Sequence, residues 1–154
     1  MSLRLKKKYL LGLGNWLNDQ ALSGRASRAR TRFVEDVQEE LNKVEKERIA
    51  LLEASADRDE NGAVKKEVVD NSEHYVLSDD AKKKVADEYS DLLEEEWVVD
   101  VTDANSEQIS QIKSIVLDTD YRFGPREGDS LDMTRMRIQQ MNDYPFWCLA
   151  FERI

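Results

Sequence analysis

The chain has 154 residues, a formal net charge of −9, 40% hydrophobic and 36% charged residues, and a single cysteine and histidine. That length fits one domain with a real hydrophobic core, and no apolar run reaches the roughly 20 residues that a bilayer-spanning helix needs. The opening MSLRLKKKYLLGLG lacks the long apolar region and small-residue cleavage site of a secretion signal, so the expected location is the cytoplasm, with no membrane partner. Charge is divided unevenly: residues 1 to 34 carry +7 and the remaining 120 carry −16.

In chain order, SLRLK at 2 to 6 alternates as a short strand does. A short helix follows over about 8 to 18, with Leu10, Leu13 and Leu17 on one face, weakened by Gly12 and Gly14. After a loop with Ser23 or Ser27 as a capping residue, the spacing predicts a long amphipathic helix over about 26 to 55. Its stripe runs through Val34, Val37, Leu41, Val44, Leu51 and Leu52, broken where Arg48 occupies it, and Glu45 lies within reach of Arg48 at i+3. Asn61-Gly62 is a turn signal. Residues 63 to 69 and 73 to 77 read as strands paired across DNS, and Ser78 opens a helix over about 79 to 95, antiparallel to the long one. Trp97, Val99 and Val101 alternate with polar or outward residues and can pair with SLRLK. A helix over 105 to 117 presents Ile109, Ile112 and Val116 inward, the segment DTDYRFGPREGD is a loop, and 130 to 142 is helical until Pro145 interrupts it. The fold class expected is α+β, mainly helical: one domain over 1 to 154 with a helical hairpin, a small antiparallel sheet and a C-terminal helical segment, looser over 118 to 154.

Four places hold chemistry worth weighing. DRDENGAVKKEV sets Asp57, Asp59, Asn61, Gly62 and Val64 at the spacing of a calcium loop, but the closing Glu67 falls one position early, where it cannot supply two oxygens. A polar turn is the expected role, with no metal and no cofactor. Arg25, Arg28 and Arg32 form one helical stripe that can grip phosphates; ion pairing within the fold or its oligomer is the expected use. The lone Cys148 can form no internal disulfide and is expected to pack inertly in PFWCLAF. That apolar tail, with Phe146, Trp147, Leu149 and Phe151, is either docked in the core or a surface for a protein partner. His74 stands without a nucleophile motif, the acidic runs Glu39-Glu40 and Glu94-Glu95-Glu96 read as solvated faces, and no phosphate loop or metalloprotease motif is present, so a non-enzymatic protein is expected.

The residues Glu47, Arg48, Leu51, Leu52, Glu53, Asp59, Glu60 and Gly62, followed by Glu88, Tyr89, Leu92, Leu93, Glu96, Val99 and Val101, resemble a family of small phage and prophage proteins of unknown function. The resemblance covers about residues 33 to 102 and brings no catalytic or binding residues. It implies a structural or assembly protein of scaffold or chaperone type in the host-cell cytoplasm, acting by contact with a protein partner or with itself. Two other readings compete: a nucleic-acid-binding accessory protein using the arginine stripe, and an acidic nucleic-acid mimic that inhibits a host enzyme.

Overall fold

A computed structural model describes residues 1–118, 123 and 125–154. Its elements are β1 (Ser2–Lys6), a single 3-10 turn (Lys7–Tyr9), α1 (Leu10–Asn18), α2 (Gly24–Ser55), β2 (Lys66–Val69), β3 (Ser72–Tyr75), α3 (Asp79–Glu94), β4 (Glu96–Asp100), α4 (Ser106–Leu117) and α5 (Leu131–Glu152). Mainly helical with two small antiparallel sheets, it is α+β as its periodicities predict. The chain divides into two compact units, Met1–Leu41 with Glu96–Ile154, and Asn42–Glu95.

In the first unit, β1 pairs with β4 from Ser2 opposite Asp100 to Lys6 opposite Glu96. Alternation places Leu3 and Leu5 inward, with Trp97 and Val99 on the same face of the ribbon, and leaves Arg4 and Val98 outward. Against this face pack Leu10, Leu13 and Leu17 of α1, Phe33 and Val37 of α2, Ile109 and Ile112 of α4, and Trp147 and Phe151 of α5. Rings continue the core: Trp16 lies 5.6 Å from Trp147, and Phe33 lies 5.8 Å from Trp97 and 6.1 Å from Phe151. The segment 118 to 129 falls partly outside the described residues; within it Phe123 sits 4.6 Å from Tyr144.

Arg30 has a structural task at the end of α1. Its Nη1 donates to the Gln20 carbonyl at 2.6 Å and the Leu17 carbonyl at 3.5 Å, while Gln20 Nε2 donates to the Trp16 carbonyl at 2.6 Å. A cation on the carbonyls at a helix end is favourable both as hydrogen bonding and against the helix dipole; the Leu17 carbonyl also accepts from the Gln20 amide at 3.2 Å. Arg30→Ala is expected to cost about 1.5–3 kcal/mol, the range for hydrogen bonds to charged groups, measured by chemical denaturation.

The second unit is the helical hairpin. Val44 on α2 and Val85 and Leu92 on α3 are buried. The β2–β3 hairpin joins the helices through a two-residue turn at Asp70 and Asn71, both at positive φ (51° and 63°), with Val69 opposite Ser72. Positive φ at both turn positions matches the right-handed strand twist, and Asp and Asn tolerate it. The Asp57 amide donates to the Val76 carbonyl at 2.9 Å, which brings the two ends of the excursion together and makes α3 run back antiparallel to α2. Ser78 caps α3, accepting from the Ala81 amide at 3.1 Å. Arg48, the break in the apolar stripe, is held by Glu45 in a two-point pair at 2.6 and 2.9 Å, which lowers the Glu45 carboxyl.

The C-terminal segment differs from expectation. Pro145 does not end the helix: α5 runs unbroken from Leu131 to Glu152. Pro145 is exposed, as is Met141, whose carbonyl loses its helical donor, so water can satisfy that group. Within α5, Trp147 and Phe151 are fully buried in the core.

Two carboxyls on and beside α5 titrate in opposite directions. Asp143 is buried, which pushes its carboxyl above the ordinary value, while the Gln139 amide (2.8 Å) and Lys8 pull it back. The folded state thus holds that proton to a higher pH than the unfolded chain. Its contribution is complete below the unfolded carboxyl pKa and is lost as pH rises through the folded value. Asp129 accepts from the Arg126 amide and Arg137, each at 2.8 Å, and is held below the ordinary value; its contribution is present above the unfolded pKa and lost as pH falls through the folded one. Asp143→Asn is expected to stabilise the fold at neutral pH by about 1 kcal/mol, the scale of one buried polar group. The gap between variant and wild type closes on acidification, which thermal melts in a pH series read directly.

Candidate functional site

The four residues expected in a tail surface separate into two pairs. Trp147 and Phe151 point into the core, whereas Phe146 and Leu149 are 48% and 45% exposed. At 100° per residue, Phe146 and Leu149 share an outer face of α5 with Leu131 (65% exposed), Ile138, Met141 and Pro145. The inner face carries Gln140, Asp143, Trp147, Ala150 and Phe151, all buried. α5 is thus apolar on two opposite sides, one covered and one facing water. The outer stripe spans about 27 Å from Leu131 to Leu149 at 1.5 Å per residue. Phe146 is a held anchor: its ring stacks on Tyr9 at 4.7 Å and 11°. Beside it Arg4, Lys6 and Arg153 line a shallow pocket of about 140 Å³.

The helical spacing of Leu131, Ile138 and Met141 was legible; its continuation through Pro145 to Leu149 is the signal that sequence reading missed. It was hidden because the inner residues share the same short segment, and because a proline at 145 reads as a stop.

The arginine stripe, whose expected use is ion pairing within the fold or its oligomer, divides within this chain. Arg25 pairs with Glu107 at 3.4 Å, both side chains exposed. Arg28 and Arg32 are exposed and have no ion pair or hydrogen bond among the described residues. Both line a pocket of about 290 Å³ between the first turns of α2 and α4, with Arg25, Ala29, Ala104, Glu107, Gln108 and Gln111.

In the second unit, Glu47, Glu88, Asp91 and Glu95 rim a groove floored by Ala50, Leu51 and Leu92, of about 450 Å³. Asp59 spends its carboxylate on its own turn, accepting from the Asn61 amide at 2.8 Å and the Ala63 amide at 2.9 Å. Glu67 lies on β2 opposite His74, which is exposed. Among the described residues no three His, Cys, Asp or Glu side chains gather as metal ligands; Asp57 holds the two ends of the excursion through backbone bonds to Lys65 and Val76. Cys148 is partly buried against the core. No described helix is long and apolar enough to cross a membrane.

Comparison with protein-family models, curated proteins and solved structures gives no match to this chain.

Proposed function

We propose that this is a non-enzymatic protein that works by protein–protein contact, and that the outer stripe of α5 is the contact face, paired first with a second copy of the chain. The observation that supports this is the exposed row Leu131, Ile138, Met141, Phe146 and Leu149, on a helix whose other face already holds the core. Apolar rows of this length on a rigid element mark interaction surfaces. The row is also its own complement. In an antiparallel pair centred near Gln140, Leu131 of one copy meets Leu149 of the other, and Ile138 meets Met141, which is the self-matching that a two-fold interface requires. Arg135 and Arg153 flank one side, and Phe146, immobilised on Tyr9, supplies the kind of preset aromatic anchor on which interfaces depend. A place in phage or prophage assembly rests on the resemblance of residues 33 to 102 and is part of the same proposal.

Arrangement is tested by cross-linking. In a Cys148→Ala background, a mixture of Leu131→Cys and Leu149→Cys chains is expected to form the mixed disulfide faster than either chain forms its own. Preferential pairing of Leu131→Cys with itself would indicate a different register and reject the antiparallel pair.

A further inference from the structure

We infer that the pocket between the first turns of α2 and α4 is a binding site for a compact phosphate-bearing anion, such as orthophosphate, a diphosphate or the terminal phosphate of a small ester. Three independent features converge there. Arg28 and Arg32, one helical turn apart, are exposed and have no carboxylate partner among the described residues of a chain of net charge −9. Secondly, the amides of Glu107 and Gln108, in the first turn of α4, donate to no described acceptor. Ser106 and Ile109 are satisfied by the Thr102 and Asn105 carbonyls, and no side chain caps this end. Thirdly, Arg28, Arg32, Glu107 and Gln108 are all among the residues that line one concavity of about 290 Å³, at the lower end of small-ligand pockets.

The chemistry is that of anion capture. Guanidinium groups present planar pairs of donors that match phosphate oxygens, and a helix start offers free amides with a favourable dipole. Glu107 is the one carboxylate in the lining, and Arg25 pairs with it at 3.4 Å; Asp36 lies beside the pocket, against Gln108. The remaining polar lining, Gln111 and Gln108, provides amide donors, with Gln108 donating weakly to Asp36 at 3.4 Å. The compactness of the pocket sets the ligand class. Arg28 and Arg32 are separated by about 6 Å along the helix, room for one phosphate or two adjacent ones. A nucleic-acid track instead engages many phosphates along its length. This site is separate from the α5 stripe and stands or falls without it.

The test is a titration of the full-length protein with sodium phosphate and with pyrophosphate at constant ionic strength, followed by amide chemical shifts. The expected result is saturable movement of the Arg28, Arg32, Glu107 and Gln108 amides. Affinity should fall at least about tenfold, or 1.4 kcal/mol, in Arg28→Gln/Arg32→Gln, and stay unchanged in Lys46→Gln, a control on a distant exposed lysine. Three outcomes overturn the proposal: no shift beyond that in matched sodium chloride, equal loss in the control, or binding seen only with oligonucleotides and strengthening with their length. The last would assign the arginines to a nucleic-acid backbone. Both arginines are exposed, so the variant is expected to keep the wild-type melting temperature.

Discussion

Trp147→Ala is expected to lower the stability of the protein by about 3–5 kcal/mol, the cost of deleting a large aromatic side chain from a packed core. Trp147 is fully buried. It lies 5.6 Å from Trp16 and meets Tyr144 edge-on at 6.1 Å, so truncation opens a cavity lined by rings that cannot collapse without breaking their own contacts. Its indole Nε1 finds no acceptor among the described groups, which makes the side chain a packing element whose value is volume and ring contact. Trp147→Phe removes the unsatisfied donor and part of the volume together, and is expected to cost well under half of the alanine loss. Urea denaturation followed by far-ultraviolet circular dichroism checks both. A loss below about 1 kcal/mol for alanine, the level of an ordinary surface change, would place Trp147 outside the core.

Gly12→Val is expected to cost about 1–3 kcal/mol through overpacking, even though valine at an ordinary exposed helix position would be nearly neutral relative to glycine. A Cβ at position 12 would lie 3.1 Å from Asp143 Oδ2 and 3.3 Å from Trp147 Cζ2. Neither neighbour can give way easily, since Trp147 is locked in the core and Asp143 is buried and held by Gln139. Gly12 is thus where α1 and α5 approach closely, and its cost in helix propensity is offset by that contact. Gly14 has a looser constraint, with Val37 Cγ1 at 3.4 Å from the same kind of added carbon, so Gly14→Ala is expected to be tolerated. Thermal melts of the two variants side by side check the contrast.

These two residues also show what the sequence could and could not reveal. Gly12 and Gly14 read as weak points in a short helix, because propensity is local and the partner that explains Gly12 lies more than 130 residues away. Elements whose cause is local were legible: the β1–β4 ribbon from alternation, α2 from its stripe, the Ser78 cap, and the β2–β3 turn from Asp and Asn. α5 was only half legible. Its inner and outer apolar rows overlap in sequence, and Pro145 reads as a stop although Met141, whose carbonyl it frees, is exposed in the intact helix. The arginine stripe was visible as a cluster, but its division of labour was not. That Arg30 closes α1, that Arg25 meets Glu107 and that Arg28 and Arg32 are unpaired among the described residues depends on tertiary placement of Gln20 and α4.

Sedimentation equilibrium over a wide concentration series tests whether the outer face of α5 is a contact surface between copies of the chain. Wild-type protein is expected to show a concentration-dependent mass rising to that of a dimer. Phe146→Glu/Leu149→Glu, which places two charges in the row while leaving Trp147 and Phe151 in the core, is expected to remain monomeric with an unchanged circular dichroism spectrum, a loss of about 2–4 kcal/mol at each anchor. A wild type that stays monomeric at every concentration, or a charged variant that dimerises as well as wild type, would contradict the pairing of copies through α5.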